Sequence, residues 1–279
     1  MEFRAPAKIN LSLRVLRRRD DGFHEIESLM VPLSLHDTLA VDLQDAPGLE
    51  FVCDDPSLPT DGANLVVRAA QLFHATCGLE PRIRIELRKQ IPHGAGLGGG
   101  SSDAATTLLA LDRLHRTNLP LAALHEIAAQ LGSDVPFFLH RSAATVRGRG
   151  ELVTPCDAPP ALPLLLLKPP FGVPTPWAYQ RWRDSRELPG VSSAPQRFAW
   201  GAVVNDLERP VFEKYLLLAQ LKMWLLAQPE VAGALLSGSG ATVFAVLREK
   251  GASEMLSKRI AEAFGGNMWV QACETISQK

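Results

Sequence analysis

A glycine-rich segment is the part of the chain whose residue types point most directly to chemistry. Five glycines fall within residues 94–100, and Ser101, Ser102 and Asp103 follow them directly. Glycines let backbone amides converge on a ligand without obstruction from Cβ atoms, and the Ala/Leu-rich stretch that follows predicts a helix whose first N–H groups are free to bind an anion. The segment therefore predicts a phosphate-binding loop; the alternative is a flexible turn that binds nothing.

Three common nucleotide-binding patterns fit this segment poorly. A P-loop carries a lysine after its last glycine, and none follows here. Gly94, Gly96 and Gly99 match the dinucleotide pattern G-x-G-x-x-G, but no acidic residue stands near position 119 to bind a ribose. The H-R-D and D-F-G motifs of protein kinases are also missing. A P-loop NTPase and a protein kinase are disfavoured, and a dehydrogenase is the weakest alternative.

The patterns around the loop predict the elements that position it. Apolar and polar residues alternate over 7–15 and over 29–43, the latter around a turn expected at His36-Asp37, and another strand is predicted over 82–87. Lys8 and Asn10 lie two apart on the first strand, so both side chains project from one face. Helical spacing is found over residues 64–76, 102–115, 121–131 and 211–227. Strands and helices in this irregular order predict a two-layer α+β architecture.

Length and composition limit the function classes. The 279 residues are 46% hydrophobic, enough for two domains with a substantial core, and the proline-rich stretch 155–176 predicts a boundary that divides the chain into 1–157 and 158–279. With 29 basic and 30 acidic residues, nucleic acid is not expected as a partner. The apolar run 161–167 is too short to span a bilayer and predicts a buried strand instead, so no membrane association is expected.

The cysteines and the N-terminus indicate a compartment. The four cysteines are far apart, which excludes a C-x-x-C metal or redox pair and a dense disulfide framework. The N-terminus lacks the charged-then-apolar layout of a signal peptide. Both observations favour a cytoplasmic protein.

Three separated segments resemble the GHMP kinase superfamily: residues 6–11 (Pro-Ala-Lys-Ile-Asn-Leu), the glycine segment 92–105, and residues 236–240 (Leu-Ser-Gly-Ser-Gly). Residues 21–26 (Asp-Gly-Phe-His-Glu-Ile) and 132–138 (Gly-Ser-Asp-Val-Pro-Phe-Phe) are similar to those members that phosphorylate a methylerythritol carried on a cytidine diphosphate. The resemblance spans nearly the whole chain. It implies ATP-dependent phosphoryl transfer and a two-domain fold, with an N-terminal domain like ribosomal protein S5 domain 2 and a C-terminal ferredoxin-like α/β sandwich.

The resemblance also implies roles for individual residues. Asp134 is expected to accept the hydroxyl proton, with Lys8 orienting the hydroxyl and stabilising developing negative charge. The implied ATP-binding residues are Asn64, Lys89, Pro92, Gly94, Gly96, Leu97, Gly98, Gly99, Gly100, Ser101 and Ser102. The residues implied for the cytidyl substrate are Asn10, Phe23, His24, Thr175, Tyr179, Ser237 and Gly238. Mg²⁺ is expected to arrive with ATP and water, because no Asp/Glu cluster resembles a metal cage.

Two of the implied substrate residues suit a nucleobase. The neutral His24 imidazole can both donate and accept a hydrogen bond, as a cytosine edge requires. Phe23 stands where the family usually has tyrosine, so it keeps an aromatic face for stacking and lacks the hydroxyl.

Simpler roles stay open for several of these residues. Ser133 or Asp134 could cap a short helix beginning near Pro136, Lys8 could be a solvent-facing strand lysine, and the glycine turn at 237–240 could serve only a hairpin. Tyr179 could be an ordinary core aromatic. The functional alternatives are a superfamily kinase acting on mevalonate, homoserine or a sugar, and a nucleotide-binding protein without catalytic activity.

Overall fold

The structure, a computed structural model, describes residues 1–276 and builds them into two β-sheets flanked by helices. The strands are β1 Glu2–Arg18, β2 His24–Leu43, β3 Gly48–Cys53, β4 Arg82–Arg88, β5 Ala144–Gly148, β6 Leu152–Pro155, β7 Pro163–Lys168, β8 Gln196–Phe198, β9 Gly201–Asn205, β10 Val231–Leu236, β11 Val243–Leu247 and β12 Trp269–Glu274. The helices are α1 Leu65–Cys77, α2 Gly99–His115, α3 Leu121–Leu131, α4 Val135–His140, α5 Thr175–Arg181, α6 Glu208–Lys214, α7 Leu216–Leu226 and α8 Ser253–Phe264.

The larger sheet is organised around the two long strands β1 and β2. Its main order is β3-β4-β2-β1-β9-β8, and β5 also pairs with β2 and carries β6. β1 and β2 are antiparallel along most of their length, while β9 is parallel to β1. Two strands from the second half of the chain, β8 and β9, therefore complete the sheet that carries the N-terminal strand. The predicted division at 157/158 stays a prediction.

The smaller sheet is antiparallel, with the order β10-β11-β7-β12. Helices α5 to α7 connect β7 to β10, and α8 connects β11 to β12. This connectivity and strand order are those of a ferredoxin-like sandwich, as expected. The mixed sheets and helices confirm the α+β class.

Residue alternation on β1 separates the core from the site. Ala7, Ile9 and Leu11 are fully buried in an apolar cluster between the two sheets, together with Leu164 and Leu166 of β7. Side chains of opposite parity leave a strand on its other face. Lys8 and Asn10 therefore share that other face, as predicted.

Several boundaries differ from expectation for physical reasons. The turn expected at His36-Asp37 is wrong, because β2 continues through both residues and Asp37 is fully buried. Its carboxylate accepts hydrogen bonds from the backbone N–H groups of Gln90 and Ile91, so this polar residue belongs to the interior. The single helix expected over 211–227 is two helices, because Tyr215 leaves the helical region with φ −108° and ψ 71°. Of the helices within residues 1–276, none has the length and apolarity needed to cross a membrane.

Candidate active site

A cleft of about 840 Å³ lies where the glycine loop, β1, α5 and the β10–β11 turn meet. All of the site residues predicted from the sequence line this cleft, except Ser102 and Ser237. Both exceptions lie immediately behind it, because Ser102 belongs to the first turn of α2 and the Ser237 hydroxyl donates to the Gly96 carbonyl at 2.9 Å. The structure therefore brings the three separated sequence segments to one place.

The glycine loop has a backbone that other residues cannot adopt without strain. Gly96 and Gly98 have φ values of 74° and 72°, in the left-handed region. A Cβ on Gly98 would lie 2.8 Å from Cζ of Phe138 and 3.0 Å from Cγ of Lys8. A Cβ on Gly96 would collide with the Ser237 carbonyl oxygen. The loop is thus closely packed on its protein side and requires glycine at both positions.

The loop leads directly into α2, whose N-terminus lacks a side-chain cap. Gly98 is the N-cap residue and Ser102 N donates to its carbonyl at 2.9 Å. The Ser102 hydroxyl is fully buried and has no hydrogen-bond partner within residues 1–276. Unpaired N–H groups at a helix start together with an unsatisfied hydroxyl form an environment suited to phosphate oxygens. These residues fit a nucleoside triphosphate.

A lysine and a carboxylate form the polar centre of the cleft. Lys8 Nζ lies 3.5 Å from Asp134 Oδ2 and donates to Asn10 Oδ1 at 2.8 Å. Asn10 Nδ2 in turn donates to the Ser28 hydroxyl at 2.8 Å, which fixes the amide orientation. Lys8 is only 3% exposed, so the solvent-facing alternative for this residue is wrong. Its ammonium is oriented toward the Asp134 carboxylate.

Asp134 occupies the N-cap position of α4 but does not act as a side-chain cap. Within the described chain its carboxylate accepts no hydrogen bond from that helix, so the capping alternative is wrong for Asp134. The carboxylate side chain is 37% exposed and faces the cleft. It is therefore accessible to a substrate hydroxyl.

A buried cluster of Lys89, Asp37 and Asp103 supports the loop from below. Lys89 Nζ lies 2.5 Å from Asp37 Oδ2 and 2.7 Å from Asp103 Oδ2, which connects the end of β4 to β2 and α2. Burial raises the pKa of Asp103; the Lys89 charge opposes this shift and the Asp37 charge adds to it, and the resulting pKa is about 8. Burial lowers the pKa of Lys89, but the charges of Asp103 and Asp37 outweigh it, so the net shift is upward. The cluster fixes both ends of the glycine segment.

Aromatic residues occupy another part of the cleft. The His24 and Tyr179 rings stack with centroids 5.5 Å apart, and Trp182 meets the His24 ring edge-on at 6.2 Å. Burial, with the nearby Arg18 charge, lowers the pKa of His24, which favours the neutral imidazole. Phe23 is 49% exposed, and the Arg149 guanidinium lies 5.2 Å from its ring centroid. Such exposed aromatic faces suit a planar base.

The turn between β10 and β11 closes the cleft from the smaller sheet. It connects a hairpin, but it also contacts the loop: Thr242 N donates to the Ala95 carbonyl at 3.1 Å. The Ser239 and Thr175 hydroxyls are 2.7 Å apart, which links the turn to α5. The turn therefore does more than connect the two strands of a hairpin, because it also contacts the glycine loop and α5.

Some residues are placed differently from their simplest sequence interpretation, and others were missed. The Asn64 side chain caps α1 by accepting from Val66 N at 2.9 Å, although Asn64 also lines the cleft. Sequence reasoning missed Asp37 because its alternating pattern was interpreted as a turn. It also missed Arg149, whose only sequence signal is a basic residue between two glycines.

Among residues 1–276 no three His, Cys, Asp or Glu side chains group closely enough to hold a metal ion.

Comparisons with known proteins show the family and the fold. The family described as GHMP kinases N terminal domain matches residues 64–142. The 4-diphosphocytidyl-2-C-methyl-D-erythritol kinase of Methylacidiphilum infernorum (isolate V4) is 41% identical over 98% of this chain and 96% of its own length. A crystal structure of 4-(cytidine 5'-diphospho)-2C-methyl-D-erythritol kinase is 36% identical and matches with a TM-score of 0.81 over 99% of this chain and 100% of the other. Homoserine kinase from Cytophaga hutchinsonii, at 19% identity, matches with a TM-score of 0.67 over 99% of this chain and 94% of its own, and shares the fold.

Proposed function

Since the chain belongs to the 4-diphosphocytidyl-2-C-methyl-D-erythritol kinase family of the GHMP kinases, we propose that it transfers the γ-phosphoryl group of ATP to the 2-hydroxyl of 4-diphosphocytidyl-2-C-methyl-D-erythritol. The observation that carries the proposal is the meeting of the glycine loop, the Lys8–Asp134 pair and the His24–Tyr179 stack in one cleft. One cleft then contains residues suited to binding a base, a loop suited to binding phosphate, and Asp134 as a proton acceptor.

The Lys8–Asp134 pair supplies the chemistry of the acceptor hydroxyl. The hydroxyl oxygen forms a bond to the γ-phosphorus, the bond from that phosphorus to the bridging oxygen of ADP breaks, and the hydroxyl proton passes to the Asp134 carboxylate. The Lys8 ammonium, held by Asn10 at 2.8 Å, orients the hydroxyl and offsets negative charge on the transferring group. Positioned proton transfer of this kind contributes about 10²–10⁴-fold to rate.

The glycine loop and the start of α2 bind the triphosphate. The free N–H groups after Gly98 and the unpartnered Ser102 hydroxyl are the donors that its oxygens require. Mg²⁺, carried in with ATP, would neutralise charge on the phosphates. The contacts of Lys89 with Asp37 and Asp103 keep the loop in place beneath the nucleotide.

The aromatic part of the cleft binds the cytidine. The His24 imidazole hydrogen-bonds the edge of the base, while Phe23 and Tyr179 offer faces for stacking. Asn10, Thr175 and Gly238 line the part of the cleft that would receive the methylerythritol, and Ser237 supports this wall from behind through its hydrogen bond to Gly96. We place the reaction in the cytoplasmic non-mevalonate route to isoprenoid precursors, on the names of the relatives and the four free cysteines.

A substrate panel tests this proposal. The chain is incubated with ATP, Mg²⁺ and one acceptor at a time, and ADP release is measured for the cytidyl substrate, homoserine and mevalonate. The proposal predicts turnover with the cytidyl substrate and background rates with the other two. Turnover of homoserine or mevalonate with none of the cytidyl substrate would assign a different kinase activity, and ATP binding without turnover of any acceptor would favour a non-catalytic protein.

A further inference from the structure

A buried asparagine joins the two sheets directly behind the active site. Asn205, at the end of β9, is fully buried, and its side-chain N–H groups donate to the carbonyls of Leu236 and Gly238 at 2.8 and 2.7 Å. Its side-chain oxygen accepts from Leu207 N at 2.9 Å. Both N–H donors and the oxygen of this amide therefore have partners, which fixes its orientation.

The two carbonyls that Asn205 holds belong to the other sheet. Asn205 is paired with Leu13 of β1, so it is part of the larger sheet, whose strand β1 also carries Lys8. Leu236 ends β10 and Gly238 lies in the turn that leads to β11, in the smaller sheet. The amide thus connects the turn to the sheet that carries Lys8.

The position of this turn determines the space around Lys8. A Cβ added to Gly238 would lie 3.3 Å from Asn10 Oδ1 and 3.5 Å from Lys8 Nζ, so the Gly238 backbone approaches both polar groups closely. The neighbouring Ser237 hydroxyl donates to Gly96 in the glycine loop. A shift of the turn would therefore move one wall of the site relative to both the ammonium and the phosphate loop.

We propose that Asn205 is a positioning residue for phosphoryl transfer: its amide holds the 237–240 turn against Lys8, Asn10 and the glycine loop. This inference rests on the proposed function. Misplacement of reacting groups by about 1 Å can reduce rate about 100-fold even when the altered residue touches no substrate. The amide acts through the turn, so its loss reduces kcat more than it weakens ATP binding.

The chain contains a matched control for this amide. Gln196 of β8 also bridges the two sheets: its Nε2 donates to the Ala234 carbonyl at 2.7 Å and its Oε1 accepts from Ala234 N at 3.0 Å. Ala234 lies within β10, away from the turn and the cleft. Gln196 variants therefore remove a similar bridge between the same two sheets without releasing the 237–240 turn.

The test compares Asn205→Ala and Asn205→Asp with Gln196→Ala and Gln196→Glu. The Asn205→Asp variant keeps the shape and the oxygen that Leu207 N needs, but the amide donors are gone. We measure kcat, KM for the cytidyl substrate, ATP affinity by calorimetry, and melting temperature for each. The proposal predicts a fall in kcat of about tenfold or more for both Asn205 variants, with ATP affinity within about threefold of wild type, and near-wild-type kcat for the Gln196 variants.

Other outcomes overturn the proposal. An unchanged kcat in folded Asn205 variants, or equal kcat losses in the Asn205 and Gln196 pairs, would make Asn205 an ordinary bridge between sheets. Failure of both Asn205 variants to fold, where the Gln196 variants fold, would assign it a structural role only.

A readout without substrate separates this inference from the proposed function. Amide hydrogen exchange of the 237–242 segment is measured in the ligand-free wild type and variants, because Ser237 N and Gly240 N are hydrogen-bonded within the turn at 2.9 Å. The proposal predicts faster exchange there in the Asn205 variants and not in the Gln196 variants. If wild-type chain fails to phosphorylate the cytidyl substrate, the proposed function fails; if exchange in the turn is unchanged, the positioning role fails.

Discussion

Lys8 Nζ lies 3.5 Å from the Asp134 carboxylate, although the two residues stand on β1 and at the start of α4. The pair is asymmetric in exposure, with the Lys8 side chain 4% exposed and the Asp134 side chain 37% exposed. The ammonium is therefore held by protein partners while the carboxylate reaches the cleft. In the proposed reaction this makes Lys8 the fixed charge and Asp134 the group that meets the substrate.

Replacing Asp134 with asparagine separates its chemical role from a structural one. We expect Asp134→Asn to lower kcat by roughly two or more orders of magnitude, because the amide cannot accept the hydroxyl proton. ATP affinity and melting temperature should stay close to wild type, since this side chain makes no capping bond to α4. Steady-state kinetics and thermal unfolding measure both. Near-normal turnover in the folded variant would remove Asp134 from the mechanism.

Glycine is required at position 98. We expect Gly98→Val to abolish ATP binding, because the residue has φ 72° and its Cβ would press on Phe138 and Lys8. Gly266→Val is the control, since a Cβ there meets nothing within 4 Å. Calorimetric titration with ATP, accompanied by circular dichroism, measures binding and folding together. Unchanged ATP affinity in Gly98→Val would contradict the assignment of the loop to phosphate.

The aromatic part of the cleft should determine affinity for the cytidyl substrate alone. We expect His24→Ala to weaken binding of that substrate about tenfold to hundredfold, the effect of losing one buried hydrogen bond of about 1–3 kcal/mol, and to leave ATP affinity nearly unchanged. Phe23→Ala should act in the same direction through lost stacking. His36→Ala, a half-buried histidine on β2, is the control. If these variants instead impaired ATP binding and left binding of the cytidyl substrate normal, the aromatic part of the cleft would belong to the ATP site.

Asp103 should make stability depend on pH. Its native pKa of about 8 is above the ordinary carboxyl value of 3.8, so between these values the folded protein holds a proton that the unfolded chain has released. The contribution of Asp103 to stability therefore falls as pH rises through this window. We expect urea unfolding to show wild type losing stability relative to Asp103→Asn as the pH rises from the ordinary carboxyl value of 3.8 to about 8.

The exposed Asp157 provides the control for that titration. Asp157→Asn should follow the wild-type pH dependence, because this exposed residue lies outside the Lys89 cluster. If the stability of wild type instead rose relative to Asp103→Asn over this range, Asp103 would not hold the proton in the folded protein.

Local patterns predicted the elements that carry the site better than they predicted the contacts between them. The strand at 82–87, the strand at 164–167 and the helix at 121–131 were predicted because their apolar spacing is regular and turn residues bound them. The burial of Asp37 was missed, because it depends on Lys89 and two backbone N–H groups that are distant in sequence. Likewise, nothing near Asn205 in sequence indicates that its amide would meet Gly238.

Product analysis by phosphorus NMR tests the proposed reaction most directly. Wild-type chain is supplied with ATP, Mg²⁺ and 4-diphosphocytidyl-2-C-methyl-D-erythritol, with Asp134→Asn as the parallel control. Carbon 2 of the methylerythritol carries a methyl group and no hydrogen, so a phosphate on its hydroxyl gives a monoester signal without splitting by a proton on that carbon. We predict this unsplit signal, growing with ADP in the wild-type reaction and nearly absent in the variant. A split monoester signal, or ADP formed without any new phosphate ester, would contradict the account.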